Sequence, residues 1–277
     1  MRGNNKLKMK NDRLCVTLII PRYHNMFSSF YTLEIIKEVS EVAIKLGVDL
    51  LVSTSWKAQP TSGVLFADIA GNESWIKKAR AKKTPYLILN YYAPGSPDNC
   101  VGIDNKKAAL GVTDYLVRSG HKRIAIITGK LNAQAGSQRL EGFKEALAKA
   151  GLGLDKRYIV AGDWSKESGK KAAKKLFSLD KIPSAVFVSG DEMALGALEA
   201  AVEAGLKVPQ DISLVGFDNI PQAQSSSVPL TTVEQPFAEL ASLGMKNLIR
   251  IIRERPKRPL QVLLESTKLI KRNSVKE

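Results

Sequence analysis

Hydrophobic positions along this chain form short continuous runs, separated by longer stretches where they recur every third or fourth residue. Leu14 to Ile20 is the first run, rich in β-branched residues, as a strand buried on both faces should be. From Phe30 to Leu46 the apolar residues Leu33, Ile36, Val39, Val42, Ala43 and Leu46 recur at helical spacing, and Gly47 stops that helix. Asp49 to Ser53, Gly63 to Phe66 and Pro85 to Leu89 read as strands, the last two around a basic helix near Ser74 to Lys83. Val101 to Ile103 is a short strand. Asn105 can cap the helix after it, which carries Ala108, Ala109, Val112 and Leu116 and ends at Gly120. Arg123 to Thr128 predicts a strand, and Ser137 to Ala150 a helix with Leu140, Phe143 and Leu147 inward. Strands at Tyr158 to Val160, Ser184 to Val188 and Ser213 to Phe217 alternate with helices at Lys166 to Ser178 and Asp191 to Ala204, the latter closed by Gly205.

Alternation of this kind means right-handed βαβ units, an α/β fold with parallel sheets and helices on both faces. Pro229 to Pro236 (PLTTVEQP) breaks it, a helix from Phe237 to about Arg253 follows, and PLQVLLESTKLIKRNS closes the chain as one or two strands. A single sheet of so many units would be unusually wide, so two α/β subdomains are expected. No Gly/Ser-rich linker separates them, which fits a chain that crosses between subdomains more than once.

Composition changes this picture in few places. With 277 residues, 44% of them hydrophobic, the chain is long enough for a substantial core. No apolar run approaches the roughly 18 residues of a membrane span. The opening MRGNNKLKMKNDR has basic residues but no apolar stretch of signal-peptide length behind it, and it reads as a tail or linker. Cys15 and Cys100 flank strands and read as reduced core thiols, which suits a cytoplasmic protein. The net charge of +15 invites a nucleic-acid reading. Yet Lys77, Lys78, Lys82, Lys83, Lys170, Lys171, Lys174 and Lys175 interleave with apolar positions, as solvated helix faces do, without aromatic residues placed to stack on bases.

Candidate chemistry lies where ligands bind in open parallel sheets, beyond the carboxyl ends of the strands. Tyr23 to Phe27, Asn90, Asp104, Trp164, Asp191 and Asp218 stand there. Carboxylates and aromatic rings together are what a sugar needs: bidentate acceptors for paired hydroxyls and a flat apolar face for the ring. Arg139, in the opening turn of its helix, opposes the helix macrodipole, so a polar ligand is one reason for its presence. A surface arginine with its stem along the helix is another. The other residues also have structural readings. Asp191 and Asp104 can cap helices, Trp164 can be a core aromatic, Asp218 before Asn219 can shape a turn, and Tyr23 and Phe27 can cover the mouth of the core. Neither His24 nor His121 belongs to a triad, and no Gly-x-Ser-x-Gly, His-Glu-x-x-His or Cys-x-x-Cys motif occurs. No catalytic residue, metal or cofactor is assigned, and an enzyme acting on a sugar is the weakest reading.

The segments VGIDN, SGHKRIAIITG, QRLEGFKEAL, GDEMALGALEAAVEAGLKVPQDISLVGFDN and PLTTVEQPFAELASLGM closely resemble the effector-binding core of the LacI/GalR family of bacterial transcription regulators, from about Leu14 to Ser274. The resemblance implies a periplasmic binding protein-like type I fold: two Rossmann-like subdomains, three crossovers and a ligand cleft between them. The boundaries it suggests are 14–118 plus 236–260 for one subdomain and 119–235 plus 261–277 for the other, after a tail over 1–13. It implies that Arg139 in QRLEGF grips the ligand and Asp218 in VGFDN binds its hydroxyls. Trp164 in GDWSKESG would stack on the sugar, and Asp191, Asp104 and Gln235 would fill further pocket positions. Phe27 and Tyr23, in the loop after the first strand, match less closely. A homodimer is implied as well, with sugar binding altering DNA affinity through a hinge motion.

Three departures qualify the match. The family usually opens with a helix-turn-helix, and MRGNNKLKMKNDR offers no helix pair with a packed core. DNA is therefore expected to be reached only through a domain absent from this chain. Residues Ser53 to Gly63 (STSWKAQPTSG) are too few for the usual helix between the second and third strands, which bears on dimerisation. Regulators of xylose operons show a similarly short link and carry their DNA-binding domain after the sensor, which adds a pentose to the candidate ligands. Ser62 also stands before Gly63 where an Asp-Gly pair is common. The reading is a cytoplasmic, sugar-sensing core of a LacI-type regulator; the alternative is a solute-binding protein of a transporter, against which GHKRIA and TTVEQP count.

Overall fold

Strands and helices alternate almost throughout the computed structural model, which describes residues 13–20, 29–56 and 60–277. Tyr23, His24, Phe27 and most of the expected tail lie outside the described residues. In chain order the elements are β1 (Cys15–Ile19), α1 (Phe30–Leu46), β2 (Asp49–Ser53), β3 (Gly63–Phe66), α2 (Glu73–Ala81), β4 (Tyr86–Leu89), β5 (Cys100–Ile103), α3 (Asn105–Arg118), β6 (Ile124–Thr128) and α4 (Gln134–Lys149). There follow β7 (Ile159–Ala161), α5 (Lys166–Phe177), β8 (Ala185–Val188), α6 (Asp191–Glu203), β9 (Ser213–Val215), α7 (Pro221–Ser225), β10 (Thr232–Glu234), α8 (Phe237–Glu254), β11 (Gln261–Leu264) and β12 (Lys268–Ile270). The chain divides into two compact units. One is Met1–Leu89 with Gly95–Cys100 and Ala241–Leu260; the other is Asn90–Pro94 with Val101–Leu240 and Gln261–Glu277.

In the first unit β4, β3, β1 and β2 lie side by side in that order, all parallel. Val64, Leu65, Phe66, Leu87, Ile88 and Leu89 are fully buried, which is what their unbroken apolar runs require of strands covered on both faces. Helix α1 ends as read, with Gly47 at φ 64° donating to Ala43 O and Ile44 O. Its buried stripe, however, is Thr32, Ile35, Val39 and Ala43, while Leu33 and Ile44 are 49% and 77% exposed. The helix has apolar residues on two faces, and spacing alone does not say which one meets the sheet. The described residues between β2 and β3 form no helix.

The second unit is built on the parallel sheet β7-β6-β8-β9. Every residue of β6 and β8 is buried. The PLTTVEQP stretch that breaks the alternation supplies β10, which pairs antiparallel with β12, and bridges at Val215–Thr231 and Asp218–Glu234 tie this ribbon beside β9. Helix pairs cover the sheet through glycines. A Cβ at Gly169 would stand 2.1 Å from Met193 O and one at Gly196 would stand 2.0 Å from Lys166 O, so α5 and α6 touch backbone to backbone. Gly142 does the same for α4 against α3, 2.1 Å from Lys106 O. That contact gathers α3 into the second unit, whereas the sequence reading carries the first subdomain on to residue 118.

Two boundaries moved for identifiable reasons. Helix α4 begins at Gln134, three residues before the expected Ser137, because its N-cap is Ala133, which has no capping side chain to mark the start. Arg139 therefore sits in the second turn, and its opposition to the macrodipole is weaker than the sequence suggests. A short 3-10 turn, Lys156–Tyr158, precedes β7 and moves that strand one residue on. No helix among the described residues is long and apolar enough to cross a membrane.

Candidate functional site

Buried polar side chains gather at the carboxyl ends of the second unit's sheet of β6, β7, β8 and β9. At their centre is Arg139, 3% exposed, delivered from α4. Its Nε donates to Asn105 Oδ1 at 2.9 Å and its Nη1 to Ser189 O at 2.6 Å. Its guanidinium carbon lies 3.5 Å from the centre of the Phe217 ring and 5.6 Å from that of Trp164. Neither bond uses Nη2. Burial pulls the Arg139 pKa down to about 10, against the attraction of Asp218 and Asp191.

Asp218 follows Phe217 at the end of β9, at φ 119°, and Asn219 after it is at φ 58°. Two consecutive non-glycine residues on the positive side of φ are strained, a cost that tends to collect at functional sites. Asn219 accepts from Arg272 Nη2 at 2.6 Å and donates to Glu234 Oε1 at 3.2 Å, which holds the turn. The Asp218 carboxylate accepts from Gln235 Nε2. Burial raises its pKa to about 7, opposed by Arg139 and reinforced by Asp191.

Trp164, also strained at φ 80°, lies across the ends of β6 and β8. A Cβ at Gly129 would fall 2.0 Å from Trp164 Cη2, so only glycine there leaves room for the indole. A Cβ at Gly190 would stand 3.6 Å from both Trp164 Cε3 and Asp218 Oδ2. Ring, guanidinium and carboxylate are thus neighbours.

Asp191 stands at the same strand ends and Asp104 at the end of β5, each bonded to the chain. Asp191 is fully buried; Thr232 Oγ1 donates to its Oδ1 at 2.7 Å and Ile220 N to its Oδ2 at 3.0 Å. Burial lifts its pKa to about 6 against these bonds, and Gly216 leaves the space its carboxyl occupies. It does not cap α6, whose N-cap is Gly190. Asp104 does cap α3, accepting from Lys107 N at 2.8 Å, the role the sequence suggested for Asn105. Asn105, 2% exposed, instead orients Arg139. Sequence reasoning passed over Asn105, Ser189 and Phe217. The Asp-Asn pair at a strand-to-helix junction was the available signal for the first; Phe217 and Ser189 look like ordinary core and turn residues.

Several polar atoms here are buried with no partner among the described residues: Thr128 Oγ1, Ser189 Oγ, Gln138 Oε1 and Gln235 Oε1. Thr128 ends β6 and Ser189 follows β8, so two of the four stand at the strand ends beside Arg139.

A family model described as a periplasmic binding protein-like domain matches residues 113–275. The HTH-type transcriptional repressor CytR of Escherichia coli (strain K12) is 42% identical over 165 residues, 60% of this chain and 48% of that protein. The chain thus spans about half the length of the curated relatives it matches first. A LacI transcriptional regulator from Bacillus cereus subsp. cytotoxis superposes with a TM-score of 0.87 at 27% identity, covering 95% of this chain and 98% of that one. The complex of the transcriptional regulator CelR with cellobiose gives 0.85 at 27% identity, covering 94% and 84%.

Proposed function

This chain belongs to the LacI family of transcriptional regulators, and from that premise we propose that it is the ligand-sensing core of such a regulator, taking a small sugar or sugar-like effector at the strand ends of its second unit. The observation that carries the reading is the buried Arg139, clamped by Asn105, Ser189 and Phe217, beside a carboxylate, an indole and buried polar atoms that, like Arg139 Nη2, have no hydrogen-bond partner among the described residues. Each unpaired buried polar atom costs about 1–3 kcal/mol, which a ligand bearing hydroxyls would recover.

In this reading Asp218 accepts a pair of ligand hydroxyls and Arg139 Nη2 donates to a ligand oxygen. Trp164 covers the apolar face of the ring, and Gln235 gives up its bond to Asp218 when the ligand takes its place. Asp191 holds the Asp218 turn to Thr232 and Ile220, and Asp104 keeps Asn105 in register by capping α3. Tyr23 and Phe27 remain proposed ligand contacts. Binding biases the chain between two conformations, and the difference in affinity for them is the signal. The signal is passed on to DNA by a homodimer in the cytoplasm. CelR, a neighbour in fold, is seen with cellobiose, which supports a sugar as the ligand class.

A thermal-shift screen against pentoses, hexoses, their phosphates and nucleobases tests this. A ligand at 100 times its Kd stabilises the folded chain by about 2.7 kcal/mol, a readily measured shift in Tm. A neutral sugar is the expected hit. Stabilisation by none of the sugars would contradict the proposal.

A further inference from the structure

Positive charge is shared unevenly between the units. The first holds twenty Lys and Arg against nine Asp and Glu, the second twenty-two against eighteen, so eleven of the fifteen net charges lie in the smaller unit. The excess gathers in two segments. Lys77, Lys78, Arg80, Lys82 and Lys83 belong to α2 and its end; Lys246, Arg250, Arg253, Arg255, Lys257 and Arg258 belong to α8 and its end. The fold joins them, since Arg255 Nη1 donates to Lys83 O at 3.2 Å. Lys83 precedes β4, and the end of α8 lies over Gly63, the first residue of β3, where a Cβ would fall 2.9 Å from Ile252 Cδ1. Arg253 lines a depression with Arg13 and Gly47, which precede β1 and β2. The cations thus occupy the edge where the first unit's strands begin.

Some of them are already engaged. Arg80 pairs with Asp98 at 2.6 Å, Arg250 with Glu254 at 2.8 Å, and Lys78 lies over the rings of Trp56 and Trp75. Lys82, Lys83, Arg253, Arg255, Lys257 and Arg258 are exposed and, among the described residues, make no ion pair. Helix termination does not explain them. After α1, α3, α4 and α6 the left-handed residue is a glycine: Gly47, Gly120, Gly151 and Gly205. After α2 and α8 it is Lys83 at φ 52° and Arg255 at φ 51°, where a side chain is strained and glycine is not. A cation complements the macrodipole from anywhere in the last turn, so the dipole does not call for one in that conformation.

We propose that this edge of the first unit docks the phosphate backbone of duplex DNA without reading its sequence. Lys246, Arg250 and Arg253 repeat along α8 at i, i+4 and i+7, a line about 10 Å long at 1.5 Å per residue. Lys257 and Arg258 follow it in sequence. Such a row suits a rod with a charge every ~1.7 Å better than the scattered carboxylates of a folded acidic protein. Neither Arg139 nor Asp218 takes part, so the surface stands or falls apart from the effector site.

The test is fluorescence anisotropy of a short labelled duplex of arbitrary sequence with the whole chain, at about 50 to 200 mM salt. Lys83→Gln, Arg253→Gln, Arg255→Gln and Arg258→Gln together should flatten the slope of log K against log salt by about 3 to 4, at ~0.9 per phosphate contact. A matched set in the second unit, Lys144→Gln, Lys156→Gln, Lys175→Gln and Lys181→Gln, should leave the slope nearly unchanged. Lys83→Gly with Arg255→Gly should weaken DNA binding while holding or raising Tm, which a purely structural role for these residues would not produce. Four outcomes would overturn the proposal: no salt-dependent binding; equal losses in the two sets; loss only when Arg2, Lys6, Lys8 and Lys10 are replaced; or tighter binding of polyglutamate than of duplex.

Discussion

The Arg139 guanidinium lies 3.5 Å from the centre of the Phe217 ring, with Asp218 as the next residue in the chain. A buried cation stacked on an aromatic face and bonded through two of its nitrogens is oriented before any ligand arrives. Preorganisation of that kind spares the ligand the cost of ordering the side chain.

Arg139→Met keeps much of the volume and removes the charge. It leaves Asn105 Oδ1 and Ser189 O without their donor and Asp218 without its cation. The expected loss at pH 7 is about 3 kcal/mol in urea unfolding, the lower end of what breaking a buried pair costs. At pH 5, where Asp218 is protonated, the loss should be smaller. An equal loss at both pH values would show that the charge of Asp218 plays no part.

Asp191 and Asp218 titrate at about 6 and about 7 in the folded chain, against 3.8 for the ordinary carboxyl. Between these limits the folded state binds more protons than the unfolded one. Their contribution to stability is therefore full below about pH 4 and is lost as pH rises through 6 and 7. Asp218→Asn removes the upper part of that decline. The stability of the variant relative to wild type, from urea midpoints at steps between pH 5 and 8, should rise with pH from 5 to about 7 and level off above it. A difference that stays flat would mean that Asp218 is not the group that holds the proton.

Two glycines in helices should respond in opposite directions. Gly196→Ala drives a methyl into Lys166 O at 2.0 Å, and overpacking of a tight helix contact costs about 1–3 kcal/mol. Gly111→Ala, in the exposed middle of α3 with nothing within 4 Å, should stabilise by about 0.5–1 kcal/mol through helix propensity. Thermal melts of the two variants check both signs.

How much of this was legible in the sequence depended on the kind of signal. The unbroken apolar runs of β6 and β8 declared strands buried on both faces, and the αL glycines Gly47, Gly120 and Gly205 declared helix ends. Helix α4 was misplaced at its start because Ala133 carries no capping chemistry, and the stripe of α1 because that helix is apolar on two faces. Within the site, Arg139, Trp164, Asp218 and Gln235 were singled out and do lie together. Asn105 and Phe217 were not, since each looks locally like a cap or a core residue, and only the tertiary fold shows them gripping the arginine. The contribution of Gly129 also depends on a neighbour, Trp164, that is distant in sequence.

The most direct test of the central claim is an equilibrium titration of the best sugar from the thermal screen into wild type and Asp218→Asn by calorimetry at pH 8, where the Asp218 carboxyl is largely ionised. Losing a charged acceptor for hydroxyls should cost about 1.5–3 kcal/mol, roughly a ten- to hundredfold rise in Kd, while the variant remains folded. A Kd unchanged within about threefold in a folded variant would place the sugar elsewhere and contradict the account.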